Sequence, residues 1–221
     1  MMKKTLCALA LAAVSFAAQA GALTIENFNP SASGNIVGDL TAKGYVLRND
    51  STPAGPANAF YQGDLFGGVG VGGSGGYLGA NYDVGSPGGT IDDWFITPVF
   101  STVSKGIISV FLRGDDAPGF FDNVQFGFSS GSSSAAGAFK LLDAIVVPTA
   151  GWTQFVFDIG GTGVAGSTGR FAIRYVGSAD TANAIGIDRL AIQLPEPTSI
   201  MMVGLGLAGL VAARRRKAKQ A

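Results

Sequence analysis

The sequence predicts an all-β protein, a jelly-roll β-sandwich, flanked by an N-terminal signal peptide and a single C-terminal transmembrane helix. Three observations predict the sandwich. The chain is rich in glycine (34 of 221 residues) and phenylalanine (15) and poor in lysine and glutamate, which favours turns and strands over exposed helices. Several windows alternate apolar and polar residues with the period of two that a half-buried strand requires. Clusters of Gly, Pro, Ser and Asp separate these windows at intervals typical of sandwiches. Strands of antiparallel character joined by long loops make two packed sheets the expected architecture.

The first 20 residues read as a signal peptide. Lys3 and Lys4 precede an apolar run, Leu6 to Phe16, and Ala18-Gln19-Ala20 forms a small-residue cleavage site that leaves Gly21 as the new N-terminus. Cys7 is the only cysteine and lies inside this segment, so the processed chain has no thiol for a disulfide, a metal or a nucleophile. Histidine is absent, which removes Ser-His-Asp and Cys-His catalysis and histidine zinc sites.

In the body, residues 21–193, Ile108, Val110 and Leu112 share one face of a strand over 107–113. Val124, Phe126 and Phe128 point inward from a second strand over 123–129, with Asn123, Gln125 and Ser129 outward. Windows over 152–159, 171–176 and 185–192 behave alike, whereas 138–147 suits a strand or a short helix. The stretch from Gly67 to Gly89 holds 11 glycines in 23 residues and reads as a long flexible loop with a strand, Tyr77 to Tyr82, embedded in it. Gly68-x-Gly70-x-x-Gly73 and Gly161-x-Gly163-x-x-Gly166 both match a dinucleotide fingerprint in spelling. Neither opens a helix, so no helix N-terminus is there to hold a pyrophosphate. Trp94, Ile96 and Pro98 alternate; Trp94 reads as a core anchor, and Pro98 ends the ladder because it lacks an N–H. Arg170 and Arg174 read as structural partners of aspartates.

Between Gly21 and Glu196 there are eight Lys/Arg and fifteen Asp/Glu, so the body is acidic although the whole chain is neutral. An acidic surface argues against nucleic acid as a partner. Glycosidic chemistry needs two carboxyls facing one bond. Asp92-Asp93 and Asp115-Asp116 are neighbours whose side chains diverge on strands, and Glu26 is the sole glutamate of the body. No carboxyl pair stands out. No cofactor is required, and a structural calcium is the ligand that the oxygen-rich loops suit best, held by Asp115, Asp116 and Asp122 in one place or by Glu26 and Asp188 in another.

The segment 194–221 holds Pro195, Glu196 and Pro197, then 16 mostly apolar residues (198–213), then Arg214, Arg215, Arg216 and Lys217. About 20 residues cross a hydrocarbon core, so the helix nearly spans, with its basic end cytoplasmic. This tripartite order resembles the PEP-CTERM sorting signal of Gram-negative bacteria. The resemblance implies a transient stay in the inner membrane, processing by an exosortase after signal peptidase has acted, and export to the cell surface or exopolysaccharide matrix.

Four stretches of the body, Ile25-Glu26-Asn27-Phe28, Gly89 to Pro98 (GTIDDWFITP), Gly169 to Tyr175 (GRFAIRY) and Asn183 to Asp188 (NAIGID), resemble the choice-of-anchor J domain, a relative of cleaved-adhesin domains. Tyr77 to Asn81 and Gly151-Trp152-Thr153 sit where that family has them. The resemblance implies a jelly roll on a surface-exported protein, and its relatives carry structural calcium. The expected function is that of a non-catalytic surface or matrix protein, adhesive or glycan-binding, with polysaccharide or other surface proteins as partners. The exposed aromatics would come from Tyr45, Tyr61, Phe66, Tyr77, Tyr82, Phe120 and Phe121. A secreted carboxylate-type hydrolase and a purely structural matrix protein are the alternatives.

Overall fold

The computed structural model describes residues 23–73 and 75–194. The residues of the signal peptide and its cleavage site (Ala18, Ala20, Gly21), the Pro195-Glu196-Pro197 motif, the apolar helix expected over 198–213 and Arg214 to Arg216 lie outside them. Among the described residues no helix is long and apolar enough to cross a membrane.

Two sheets form the body. The six-stranded sheet has the order β12 (Thr153–Ile159), β8 (Gly106–Gly114), β14 (Ala184–Gln193), β5 (Leu78–Asn81), β4 (Tyr61–Gln62), with β1 (Leu23–Glu26) also on β14. The eight-stranded sheet runs β10 (Phe139–Leu141), β9 (Asn123–Ser130), β13 (Thr168–Ser178), β6 (Gly85–Ile96), β2 (Val46–Asn49). Three short strands complete it: β11 (Ile145–Val146) on β9, β7 (Phe100–Ser101) on β13 and β3 (Thr52–Ala54) on β6. From β5 onward the chain passes back and forth between the sheets, and the last two strands, β13 and β14, lie in the middle of one sheet each. This is the antiparallel jelly roll the alternation predicts.

The period of two sorts the residues of the large sheet. On the face toward the other sheet, Ile91, Asp93 and Phe95 of β6 lie beside Phe171, Ile173 and Tyr175 of β13, which lie beside Val124, Phe126 and Phe128 of β9. Phe126 meets Phe155 and Phe157 of β12 across the sandwich, with ring centroids 5.3 and 4.6 Å apart. Phe28, Tyr45 and Phe60 close around Phe95. Aromatic burial on this scale supplies most of what holds the sheets together.

Trp94 is buried as expected, but on the other face. It packs with Ile96, Ala172 and Phe139 in a second, smaller core on the outside of the large sheet. Two guanidiniums lie over its ring, Arg174 at 5.0 Å and Arg48 at 5.6 Å. Arg174 grips Asp92 with two hydrogen bonds of 2.7 Å. Arg170 differs from expectation. Its guanidinium donates to the carbonyls of Ser132, Thr97 and Gly44, so it fastens loops instead of pairing with an aspartate. The loop from Gly131 to Ala138, which also takes a bond from Arg48 through the Ser134 carbonyl, is drawn over this face.

The sequence reading lacks one element and leaves another open between strand and helix. A short helix, α1 (Ile36–Ala42), precedes β2; Asn35 caps it by accepting from the Gly38 N–H, and Ile36 and Leu40, four residues apart, are buried. The stretch 138–147 resolves into β10 and β11 after a single tight turn at Ala136–Ala138.

The glycine-rich stretch is pinned rather than loose. Phe66 packs on Tyr77 and Trp152 (centroids 5.3 and 6.0 Å), and the Arg113 guanidinium stacks on Phe66 at 4.3 Å. The Val71 N–H donates to the Asp188 carboxylate at 2.7 Å. The Ile185-Gly186-Ile187-Asp188 segment is what holds it. Any Cβ on Gly186 would lie 2.7 Å from the Trp152 ring and 2.9 Å from Tyr77, so the aromatics can rest on β14 only because that position is glycine.

Candidate functional site

Four chain segments meet at one end of the sandwich. The turn between β13 and β14, Ser178 to Asn183, is closed by Thr181 and Ala182 N–H groups donating to the Ser178 carbonyl. It binds the beginning of β6 through Ala179 N–H to Gly89 O and through Gly88 N–H to the Asp180 carboxylate (2.8 Å). It binds the turn after β5 through Tyr82 N–H to Asn183 O (2.8 Å), and the β8–β9 loop through Phe121 N–H to Thr181 O (2.8 Å).

Asp122 ties these pieces from below. Its buried carboxylate accepts from the Tyr175 hydroxyl (2.6 Å), the Asn183 N–H (2.8 Å) and the Ala184 N–H (3.2 Å). Burial pushes its carboxyl above the usual range, against the pull of those three donors. Asn183 completes the tie by donating its Nδ2 to Asp115 at 2.7 Å. Asp122 and Asp115 thus sit either side of Asn183 as structural braces.

Above this brace two hollows open. The larger, about 570 Å³, is lined by Tyr82, Asp83, Phe120, Asp180 and Asn183 among others. The smaller, about 340 Å³, is lined by Asp115, Asp116, Phe120, Phe121 and Thr149 among others. Phe120 belongs to both. Tyr82 and Phe120 are each 43% exposed and Phe121 62%, and through Phe120 the three line adjoining hollows. Of the seven aromatics expected as surface candidates, these three are outside. Tyr45 and Tyr77 are buried in packing, and Tyr61 and Phe66 are half-buried.

The remaining acids fall elsewhere. Glu26 pairs with Lys43 (2.7 Å) and accepts from the Phe28 N–H. Asp188 is buried, accepts from the Val71 and Arg189 N–H groups, and has its carboxyl raised by that burial. It borders a third hollow of about 150 Å³ with Asn27, Asn29 and Arg189. Asp116 stays exposed. Asp92 faces outward to Arg174, while Asp93, its neighbour, points inward. Among the described residues no three acidic side chains gather as a metal cluster. Asp83, Asp180 and Pro87 of the large hollow escape sequence reasoning. For Asp180 the one signal is a polar turn, Ser178-Ala179-Asp180-Thr181-Ala182-Asn183, of a kind that also closes ordinary hairpins, and Asp83 and Pro87 lie outside it.

The body is thus a two-sheet jelly roll with ring-lined hollows at its loop end, and solved structures share that fold. The K1 cleaved-adhesin domain of Lys-gingipain from Porphyromonas gingivalis matches it with a TM-score of 0.55 at 20% identity, covering 79% of this chain and 99% of that one. The K2 cleaved-adhesin domain of the same protein matches with a TM-score of 0.55 at 14% identity, covering 77% and 99%. A xylan-binding domain, CBM22-1 of Xyn10C from Paenibacillus barcinonensis, aligns with a TM-score of 0.45 at 12% identity over 82% and 99%. The likeness to the two adhesin domains is one of fold. Residues 193–217 match the PEP-CTERM protein-sorting motif, the mark of an exported protein. A comparison with curated proteins finds no match.

Proposed function

We propose that the body is a non-catalytic surface or matrix module that binds a glycan at the ring-lined hollows. The observation that carries this reading is the placing of Tyr82, Phe120 and Phe121, exposed on loops that Asp122 and Asn183 hold rigid. A pyranose ring presents a C–H face that stacks on such side chains, and the polar edges of Asp83, Asp180 and Asn183 would orient its hydroxyls. A carboxylate hydrolase is less well supported, because Asp92 and Asp93 diverge and Asp115 and Asp122 are committed to Asn183. The test is a glycan array probed with the secreted protein and with Phe120→Ala. Binding lost in the variant at unchanged melting temperature supports the reading; an array without signal leaves a purely structural matrix protein.

Residues 1–20 are proposed to be removed by signal peptidase, and the tail to be held briefly in the inner membrane until an exosortase acts near Pro195-Glu196-Pro197. The mature body then stays at the surface or in the exopolysaccharide of a biofilm. Intact-mass analysis of surface and medium fractions reads both ends; a product that retains residues 198–221 at the surface would overturn the processing step.

A second reading concerns calcium at the hollow beside Asp188. The backbone comes close there, since a Cβ on Gly70 would fall 2.3 Å from the Asp188 carboxylate and one on Gly75 would fall 2.5 Å from Asn29 Oδ1. Phe28 and Arg189, two bulky residues, are bent to φ of 46° and 45° on either side of it. Such angles cost about 1 kcal/mol or more each and persist where a site needs them. Asp188, Asn27 and Asn29 would hold the ion, which would fasten the two chain ends of the domain to the glycine-rich loop.

A further inference from the structure

The hollows around Phe120 carry more than aromatic rings. Asp83 and Asp180 line one, Asp115 and Asp116 line the other, and among the described residues lining either there is no lysine or arginine. Asp180 and Asp115 each spend one oxygen on the protein, on the Gly88 N–H and the Asn183 side chain. Their other oxygens, and the whole carboxylates of Asp83 and Asp116, make no hydrogen bond to the described residues. The three exposed rings therefore stand among carboxylates with spare acceptor capacity and no counter-ion. These carboxylates belong to a stretch that is acidic as a whole, with eight Lys/Arg against fifteen Asp/Glu between Gly21 and Glu196.

Resting on the glycan reading of the same hollows, we infer that the ligand is a cationic one: an amino-sugar chain carrying free, protonated amino groups. The chemistry is complementary at both scales. An ammonium on the sugar ring finds carboxylates at the rim, and a ring face turned to Phe120 or Tyr82 gains a cation–π attraction in addition to C–H stacking. A uronic-acid polymer would bring like charges together, which costs affinity and selects against it. A basic peptide could meet the same carboxylates, but flat rings spaced along two shallow hollows suit ring faces better than extended side chains.

The experiment uses the mature secreted protein and three hexamers, of glucosamine, of N-acetylglucosamine and of a uronic acid, by titration calorimetry at mildly acidic pH. A polylysine peptide is added as a fourth ligand. The glucosamine hexamer should bind at least about tenfold more tightly than its acetylated counterpart, a difference of one or two charge contacts, and should weaken as salt is added. The double variant D83N/D116N should lose that advantage while keeping its melting temperature, and F120A should lose binding to every sugar. Equal binding of the acetylated and free hexamers would overturn the charge selection and leave the glycan reading standing. Binding of the uronic-acid hexamer in preference would overturn it too. Polylysine binding with no sugar binding, or no binding at all, would overturn both.

Discussion

Replacing Asp93 by asparagine should change how stability depends on pH, and by a predictable amount. Asp93 is fully buried on the inner face of β6, and neither carboxyl oxygen has a well-aligned hydrogen-bond partner. Its two ladder neighbours are Tyr175 and Asn49. The Tyr175 hydroxyl is given to Asp122, and the Asn49 amide is spent on Val84 O and the Ser51 N–H. Burial therefore pushes the Asp93 carboxyl up to about 9, against the weaker pull of the nearby Trp94 N–H. The unfolded chain releases this proton near about 3.9. Between those values the native state binds more protons than the unfolded state, so stability falls as pH rises, by about 1.4 kcal/mol per pH unit. The amide of the variant carries no such proton. Any fixed cost of that amide is the same at every pH and cancels. The stability of D93N relative to the parent should thus rise by about 4 kcal/mol between pH ~5 and pH ~8, or about 10 °C in relative melting temperature. Denaturant titrations of both proteins across that range measure it. Parallel pH profiles would show that the carboxyl is not held neutral and would refute the reasoning.

Other substitutions test other joints. Gly186→Ala should lower the melting temperature by about 5 °C, because the added methyl presses on Trp152, Tyr77 and Phe66 together; an unchanged value would mean that the aromatic layer does not rest on β14. Asp122→Ala strips the Tyr175 hydroxyl and two backbone N–H groups of their acceptor, at about 3 kcal/mol by chemical denaturation, and should weaken ligand binding as the loops loosen. If calcium occupies the hollow beside Asp188, adding it to an EDTA-treated sample should raise the melting temperature, and Asp188→Asn should abolish the rise. A sample that melts alike with and without calcium removes the ion from consideration.

The strands of the core are legible in the sequence where one face is buried and the other is not: Val124 and Phe126 alternate with Asn123 and Gln125 for that reason, whereas Ser129, expected outward, is buried and Phe128 only half-buried. Trp94 reads as buried but cannot be placed, since β6 is covered on both faces and alternation carries no sign of which side is the interior. The helix at Ile36–Ala42 escapes the pattern, as its apolar contact rests on two residues and Gly38 weakens the signal. Glycine frequency makes the stretch after Leu65 look loose, whereas several of those glycines are there to let side chains and backbone press together. The hollows at the loop end come from four segments far apart in sequence, and only the fold shows that Tyr82, Phe120 and Asp180 are neighbours. Phe120, Phe121, Asp115 and Asp116 stand out in the sequence as well, but for separate roles.

The place of β14 has a mechanical consequence. It is the last strand of the body, yet it lies inside its sheet, with β8 on one side and β5 on the other. Tension reaching the body through the residues that follow Gln193 would load the ladders on both sides at once. They must slide together, as two glued seams do, instead of peeling open one bond at a time. Pull applied at that end must therefore break two ladders together, where a strand at the sheet's edge would present one.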